Sequence, residues 1–319
     1  MRATVGLIVN PAAGRDIRRL VGLASIMPHH EKAAIVRRVL RGLEAAGVDS
    51  VLYLPDGVGI VGAALDGSRP GLQLEPLPIA PQGWAGDSAE AARQLAEAGV
   101  GAIVTLGGDG TNRAVAAACR DVPLVPVSTG TNNVFPSLVE GTVAGLAAGL
   151  VAAGRVELGA VASRSKRVEV ETEGEADFAL VDVALCRDAF RGAAAIWDPA
   201  RVRALVLARA EPWAVGLSSI GGQLQPVAAD EPGGLYVELG AGREVLAVVA
   251  PGLTARVPVR SWRRLALGEE VALEASAGTL ALDGERELRA RGRATARVTA
   301  SGPLVVDVRA VLAMAAGRG

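Results

Sequence analysis

The stretch that decides the reading of this chain is Val100-Gly101-Ala102-Ile103-Val104-Thr105-Leu106-Gly107-Gly108-Asp109-Gly110-Thr111. An apolar run of the length of one buried strand ends in two glycines, a carboxylate, a third glycine and a hydroxyl residue that starts a helical pattern. In open α/β sheets ligands bind beyond the carboxyl ends of the strands, and glycines there let a phosphate approach backbone N–H groups. Asp109 then sits beside the ligand. A carboxylate among phosphate-binding amides is electrostatically unfavourable unless it holds a metal or takes a proton, so it points to work on a hydroxyl or on Mg²⁺. The plainer alternative is a β-turn in which Asp109 or Thr111 caps the helix.

Outward from this stretch, short apolar runs alternate with amphipathic ones from Met1 to about Leu150, the rhythm of βα units around a parallel sheet. Strands are predicted at Val5 to Val9, Val51 to Leu54, Leu77 to Ala80, Ala102 to Leu106 and Pro123 to Val127. Helices are predicted at Glu31 to Ala46 with Gly47 as its stop, Val58 to Leu65, Ala89 to Ala98 behind a Gly86-Asp87-Ser88 cap, from Thr111, and at Thr142 to Ala153. After Arg155 the pattern alternates polar and apolar, as in Arg167-Val168-Glu169-Val170-Glu171, and reads as mostly β, with one helix around Pro199 to Ala210. Val305 to Ala316 reads as a strand and helix of the first style. The expected organisation is an α/β nucleotide-binding region over 1–140, a mostly β region over 141–303, and a tail over 304–319 that packs back on the first region, with a cleft between the two halves.

The 319 residues carry 33 Lys and Arg against 34 Asp and Glu, so no net field recommends nucleic acid or an anionic membrane as a partner. Half the residues are hydrophobic, yet aromatics amount to three Phe, four Trp and two Tyr, so the cores must be aliphatic. Such a composition excludes disorder. Gly141 to Gly154, the longest uncharged small-apolar stretch near the middle, is shorter than the ~20 residues a bilayer demands, and no membrane span is expected. Met1-Arg2-Ala3-Thr4 runs straight into a short apolar run ending in Asn-Pro, unlike a signal peptide, which predicts a cytoplasmic protein. Cys119 and Cys186 are too few for a disulfide framework or a cysteine zinc site and read as buried small hydrophobes. The two lysines, Lys32 and Lys166, do not follow a GxxxxG, which removes the P-loop.

Two further loops fall on the edge where Gly107 lies. Ser128-Thr129-Gly130-Thr131-Asn132-Asn133 ends the next strand as a second crest of glycine and hydroxyls, where Thr131, Asn132 and Asn133 suit a nucleotide's phosphates, ribose or base. Read plainly, it is a polar loop before a helix. Asn10-Pro11-Ala12-Ala13-Gly14-Arg15 ends the first strand; on a helix, Arg15, Arg18 and Arg19 share a face that either grips polyphosphate or is simply solvated. Elsewhere His29-His30 reads as a polar helix start, Arg289, Arg291, Arg293 and Arg297 as a solvated strand face, and Trp197 and Trp213 as core or interface anchors with base stacking as the alternative.

GGDGT, the Asn-Pro-x-x-Gly and the GTNN loop resemble the ATP-NAD kinase and diacylglycerol-kinase-like superfamily. Within it, NPAAGRDIRRL, STGTNNVFP and GAAAIWDP most resemble the acetoin-catabolism protein X (AcoX) branch. The resemblance implies α/β plus all-β architecture: an NAD-kinase-like fold with an N-terminal Rossmann-like parallel sheet and a C-terminal β-sandwich. It implies Mg²⁺-dependent transfer of the ATP γ-phosphoryl group to a hydroxyl, with the 2′-OH of NAD as acceptor and NADP as product. It further implies small-molecule nucleotides as partners and a homo-oligomer, a dimer. Asp109 matches the aspartate that activates the ribose hydroxyl. Asn10, Gly107, Gly108, Gly110, Thr111, Thr129, Gly130, Thr131, Asn132 and Asn133 are the expected nucleotide- and phosphate-binding residues.

The Asn-Glu pair of NAD kinases falls at Ala179-Leu180-Val181-Asp182-Val183, where Asp182 keeps the acid and Val181 stands in place of the amide. Lipid-kinase relatives continue GGDGT with an Asn-Glu pair where this chain has Asn112-Arg113-Ala114, and share a late Asp-Gly-Glu, here Asp283-Gly284-Glu285. The same triplet is the favoured type I′ hairpin turn; as site residues, Asp283 or Glu285 face Asp109 across the cleft and help hold Mg²⁺ or the acceptor. A kinase for another small hydroxyl metabolite or a lipid, and a non-catalytic nucleotide sensor, are the competing readings.

Overall fold

The computed structural model describes residues 2–13, 22–25, 27–66, 71–187, 196 and 198–317; Gly14, Arg15, Arg18, Arg19 and Trp197, singled out above, lie outside them. The first region runs β1 (Thr4–Val9), α1 (His29–Ala45), β2 (Ser50–Tyr53), α2 (Ile60–Leu65), β3 (Gln73–Pro76), α3 (Ala85–Glu97), β4 (Ala102–Gly107), α4 (Asp109–Ala116), β5 (Leu124–Ser128), α5 (Gly141–Ala152), α6 (Leu158–Val161) and β6 (Ala162–Arg164). The second runs β7 (Arg167–Glu171), β8 (Ala176–Ala179), β9 (Asp182–Cys186), β10 (Val202–Leu207), α7 (Ser218–Gly222), β11 (Gly234–Ala250), β12 (Leu253–Leu265), β13 (Glu270–Leu282) and β14 (Glu285–Thr299). The chain closes with β15 (Leu304–Val306) and α8 (Val308–Ala316).

One sheet has the order β3-β2-β1-β4-β5-β15-β6, parallel throughout except for β6 against β15. β1 and β4 are buried along nearly their whole length, as expected where helices cover both faces of a parallel sheet. The chain winds from β1 outward to β2 and β3, then crosses back to place β4 on the other side of β1. Helices leaving β1 and β4 diverge to opposite sides there, which opens a crevice at the carboxyl ends of these two strands. The Asn10 loop and the Gly107-Gly108 loop both meet at this crevice, tied by the Asn10 amide donating to the Leu106 carbonyl at 3.0 Å.

The α/β region extends further than 140. α5 packs on α1, and Ala144, Ala147, Ala148 and Val151 belong to the same core as Val36, Val39 and Leu43. The reason is the spacing of Gly141, Gly145 and Gly149, which lets two helix backbones touch: a Cβ on Gly145 would lie 2.1 Å from the Val39 carbonyl oxygen, and one on Gly149 2.5 Å from the Ala46 Cβ. The change to antiparallel pairing follows β6. Leu304–Val306 returns to the first sheet, β15 pairing with β5 and β6.

The second region is one eight-stranded antiparallel sheet of order β12-β11-β10-β9-β13-β14-β7-β8. Bulges bend its long hairpins, and alternate residues of β9 and β10 enter two separate cores: Ala184, Leu205 and Leu207 in one, Val183, Leu185 and Val206 in the other. The expected helix around Pro199 to Ala210 is instead a 3₁₀ turn, Pro199–Arg201, followed by strand β10. A central strand covered on both faces shows a continuous apolar run, which periodicity cannot separate from a buried helix. The strand expected at Leu77 to Ala80 lies earlier, at β3, because that edge strand is made of the mostly exposed Gln73-Leu74-Glu75-Pro76 and carries no apolar signature. Trp213, expected as an anchor, is 77% exposed. Cys119 and Cys186 are both fully buried, and burial pushes the Cys119 thiol up to about 11. No helix among the described residues is long and apolar enough to cross a membrane.

Gly145→Ala gains ~1 kcal/mol of helix propensity but drives a methyl into backbone, an overpacking cost of about 1–3 kcal/mol or more. The expected result is a lower urea midpoint; an unchanged or raised midpoint would show that α1 and α5 do not meet at backbone distance.

Candidate functional site

A cavity of about 310 Å³ lies beyond the carboxyl ends of β1, β4 and β5. Its walls include Asn10, Gly108, Asp109, Gly110, Thr111, Gly130, Thr131, Asn132 and Asn133 from the first region, and Asp283 and Glu285 from the second. All three crests and the Asp-Gly-Glu turn thus converge. Gly107, Thr129 and Asp182 stand behind the lining: a Cβ on Gly107 would lie 2.6 Å from Thr111, and Thr129 and Asp182 are buried.

Asp109 opens α4, and its carboxylate reaches across to the second crest. Oδ1 accepts from the Val134 and Phe135 amides at 3.0 and 2.7 Å, and Oδ2 accepts from Val134 at 3.1 Å. The plainer reading of a structural role is therefore present in part, since the same carboxylate that faces the cavity ties α4 to the segment after Asn133. Arg209 grips that segment from the other side: Nη1 donates to the Val134 carbonyl at 3.1 Å and the guanidinium lies 5.3 Å from the Phe135 ring centre. Burial lowers the pKa of Arg209, while the carboxylates of Glu211, Asp109 and Asp283 act in the opposite direction.

The remaining lining is braced from within. Asn133 Nδ2 donates to Ser128 Oγ at 2.8 Å, and Ser128 Oγ donates to the Gly130 carbonyl at 3.0 Å. Asn10 Nδ2 donates to Thr111 Oγ1 at 2.8 Å, so the Asn10 loop and the first turn of α4 share a side-chain hydrogen bond. Asn112, next along α4, is buried and internal: its Oδ1 accepts from Thr105 Oγ1 and its Nδ2 donates to the Gly108 carbonyl. At Gly108 a Cβ would come 2.6 Å from Asn133 Oδ1, so the Asn133 side chain would have to shift. Gly110 is different: a Cβ would meet nothing within 4 Å, so the space in front of it is left open to the cavity. Among the described residues, Asn132 Oδ1 is a buried acceptor without a donor, on a residue that lines this space.

Asp283 shows both of its sequence readings at once. With φ of 50° at Asp283 and 78° at Gly284, the pair makes the left-handed two-residue hairpin turn between β13 and β14. Its carboxylate turns inward to accept from the amides of Leu180, Val181 and Asp182 at 3.0, 2.7 and 3.4 Å. Val181, where the resemblance led to the expectation of an amide, is buried and meets Asp283 through its backbone N–H. Arg113, on α4, bridges to Asp177 at 3.1 Å and reaches Asp283 at 3.9 Å, joining the two regions. Burial, then the neighbouring Asp109 charge, pushes the Asp283 carboxyl up to about 6, against the pull of the Leu180 and Val181 amides and Arg113.

Lys32, Arg113 and Arg209 carry this geometry, and none was singled out from sequence as a site residue. Lys32 is 1% exposed, and its Nζ donates to the carbonyls of Asn10, Pro11 and Ala13 at 3.0, 2.9 and 3.1 Å. A signal existed: Lys32 falls on the helical stripe of Val36, Val39, Leu40 and Leu43, where a charge has no place without a buried partner. Arg289 and Arg293 are exposed, as expected of a solvated face, whereas Arg297 pairs with Glu169, Glu171 and Glu270.

Lys32→Met removes the donor shared by three loop carbonyls, of which that of Ala13 is buried, at about 1–3 kcal/mol for a buried group left unsatisfied. A fall of the thermal midpoint well beyond that of an exposed Lys→Met control is expected; equal shifts would remove Lys32 as the support of the loop. For Asp283 the sign runs from its raised value: as pH rises from the usual 3.8 to about 6 the unfolded chain ionises this group while the folded chain keeps its proton, so its contribution to stability falls over that window and levels off above it. The stability difference between wild type and Asp283→Asn, measured by urea unfolding from pH 4 to pH 7, should therefore shrink as pH rises; a flat difference would contradict the buried-acid assignment.

The profile of the ATP-NAD kinase N-terminal domain matches residues 5–156, and that of the acetoin catabolism protein X C-terminal domain matches residues 166–302. The chain is 40% identical over 302 residues to the acetoin catabolism protein X of Cupriavidus necator, covering 89% of this chain and 84% of that one. Among solved structures, an NAD kinase from Archaeoglobus fulgidus in complex with ATP aligns over 85% of this chain and 99% of its own, at 18% identity and a TM-score of 0.42.

Proposed function

Because the chain belongs to the acetoin catabolism protein X family and carries an ATP-NAD kinase N-terminal domain, we propose that it is a Mg²⁺-dependent phosphotransferase that moves the γ-phosphoryl group of ATP to a hydroxyl, with the 2′-OH of NAD as the first acceptor to test. The observation that carries this reading is the meeting of Asp109 with the open face of Gly110 in one cavity. Phosphoryl transfer needs mainly positioning and neutralisation of charge. Gly108, Gly110 and Thr111 offer backbone N–H groups at the start of α4, where the helix leaves them without internal partners, and Asn132 offers an acceptor to a ligand hydroxyl or amine.

Asp109 is the general base in this reading. Its Oδ2, 3.1 Å from the Val134 amide, takes the proton of the attacking hydroxyl, and the two amides on Oδ1 hold the carboxylate in place while it does so. The donor set is all oxygen, which suits Mg²⁺, an ion bound through one or two carboxylates together with substrate phosphates. Asp109 and Glu285 would hold it, and it would offset phosphate charge. Asp283 has a positioning role, since its carboxylate is engaged by the 180–182 amides.

One observation favours a second reading, in which the acceptor is another small hydroxyl metabolite. Val181, standing where NAD kinases are expected to carry an amide, is 1% exposed and is not part of the cavity wall, so it offers no side-chain contact to an NAD ring.

Mass spectrometry of the protein with ATP, Mg²⁺ and NAD, beside Asp109→Asn and Asp109→Ala, tests the proposal. General-base loss should lower turnover by about 10²- to 10⁴-fold in both variants. Asn keeps the Oδ1 acceptor for Val134 and Phe135, so nucleotide affinity should hold in Asp109→Asn and weaken in Asp109→Ala. Unchanged turnover in Asp109→Asn removes Asp109 as base; ATP binding with no NADP directs the search to other hydroxyls.

A further inference from the structure

A cavity that receives a polyphosphate must offset several negative charges, yet this one is lined by acids. Asp109, Asp283 and Glu285 stand in its wall, and among the described residues of that wall Arg113 is the one cationic side chain. Two other cations close by are turned to backbone instead. Lys32 Nζ donates to the carbonyls of Asn10, Pro11 and Ala13, while Arg209 meets the Val134 carbonyl and the Phe135 ring. Neither belongs to the described wall.

Arg113 follows Asp109 by four residues on α4, so the two side chains share one face of the helix, one turn apart. Its Nη1 donates to Asp177 Oδ2 at 3.1 Å, and its Nε lies 3.9 Å from Asp283 Oδ2. The second distance is beyond hydrogen-bond length, and the Asp283 oxygens accept from the Leu180 and Val181 amides. The guanidinium is thus anchored by Asp177, which stands outside the cavity wall, and it borders the cavity between the start of α4 and the Asp283-Gly284-Glu285 turn. A planar fork of N–H donors suits a phosphoryl group. Anchoring by Asp177 also reduces the rotamer freedom that binding a ligand would remove.

We propose that Arg113 binds the terminal phosphoryl group of the donor, an assignment that rests on the reading above in which the phosphate chain lies against Gly108 to Thr111. Lying one turn further along α4, it meets the end of that chain that faces the acceptor. In the transfer the bond from the γ-phosphorus to the bridging oxygen breaks and its electron pair leaves with ADP. The acceptor oxygen bonds to the phosphorus, and the hydroxyl proton passes to Asp109. Arg113 exchanges no proton and keeps its charge throughout.

Calorimetric titration of the full chain with ATP and with ADP, each with Mg²⁺, is carried out for wild type, Arg113→Gln, Arg113→Lys and Asp177→Asn. Arg113→Gln keeps an amide donor for Asp177 and loses the charge, so its affinity for ATP should fall about tenfold or more while that for ADP changes by less than about twofold. Arg113→Lys keeps the charge and should lose less than Arg113→Gln. Asp177→Asn weakens the bridge between the two regions without altering the cavity wall, and should bind ATP within about twofold of wild type. ATP binding that is equal in wild type and Arg113→Gln overturns this assignment alone, as do equal losses for ATP and ADP, a Lys variant as weak as the Gln variant, or a loss in Asp177→Asn as large as that in Arg113→Gln. A wild-type protein that binds neither nucleotide overturns the assignment together with the phosphate reading beneath it.

Discussion

Two carboxylates held by backbone amides, Asp283 buried and Asp109 half-buried, are the constraint on which the site depends. Asp109 accepts from residues 134 and 135, and Asp283 from residues 180 to 182. One ties the start of α4 to the segment after Asn133 and the other ties the β13–β14 turn to the start of β9, and each sets fixed backbone dipoles around a charge. The two acids also disfavour each other's charge, which is part of why Asp283 holds its proton up to about 6. Arg113 and Arg209 approach this pair from the α/β side and the β side respectively. The cavity is therefore set less by the strands that end at it than by a small balance of charges that only exists once both regions have come together.

The glycines of the decisive stretch divide by physical reason rather than by position in a motif. Gly107 and Gly108 are small because Thr111 and Asn133 occupy the space a methyl would take. Gly110 has no such neighbour, and its emptiness is directed at the cavity. A sequence pattern treats the three alike, whereas in the structure two meet packed neighbours and the third faces open space.

Much of this was legible in the chain because its signals are local. Strand-glycine-carboxylate-helix at 100–111 announced both the sheet and the edge at which the cavity opens, and the alternation after Arg155 announced the change to antiparallel structure. What was not legible depends on contacts across sixty residues or more, on burial from both faces or on an edge position. Residues 202–207 are apolar without period because they lie at the centre of a sheet. β3 is invisible because it lies at an edge. Arg113 and Arg209 look like ordinary charged residues until Asp177, Asp283 and Val134 are brought to them. Lys32 alone left a local trace, as a charge on a buried helical stripe.

The placement of β15 carries a consequence for how the molecule is made. This strand of three residues is inserted between β5 and β6, so the first sheet is incomplete until Val306 has been synthesised, after the whole antiparallel region. At usual synthesis rates that interval is on the order of ten seconds. Through it the open edge of β5 must wait on the ribosome beside a nascent β region rich in edges of its own. The tail thus acts as a latch that closes the first unit only after the second has been delivered, and makes the order of translation part of the architecture.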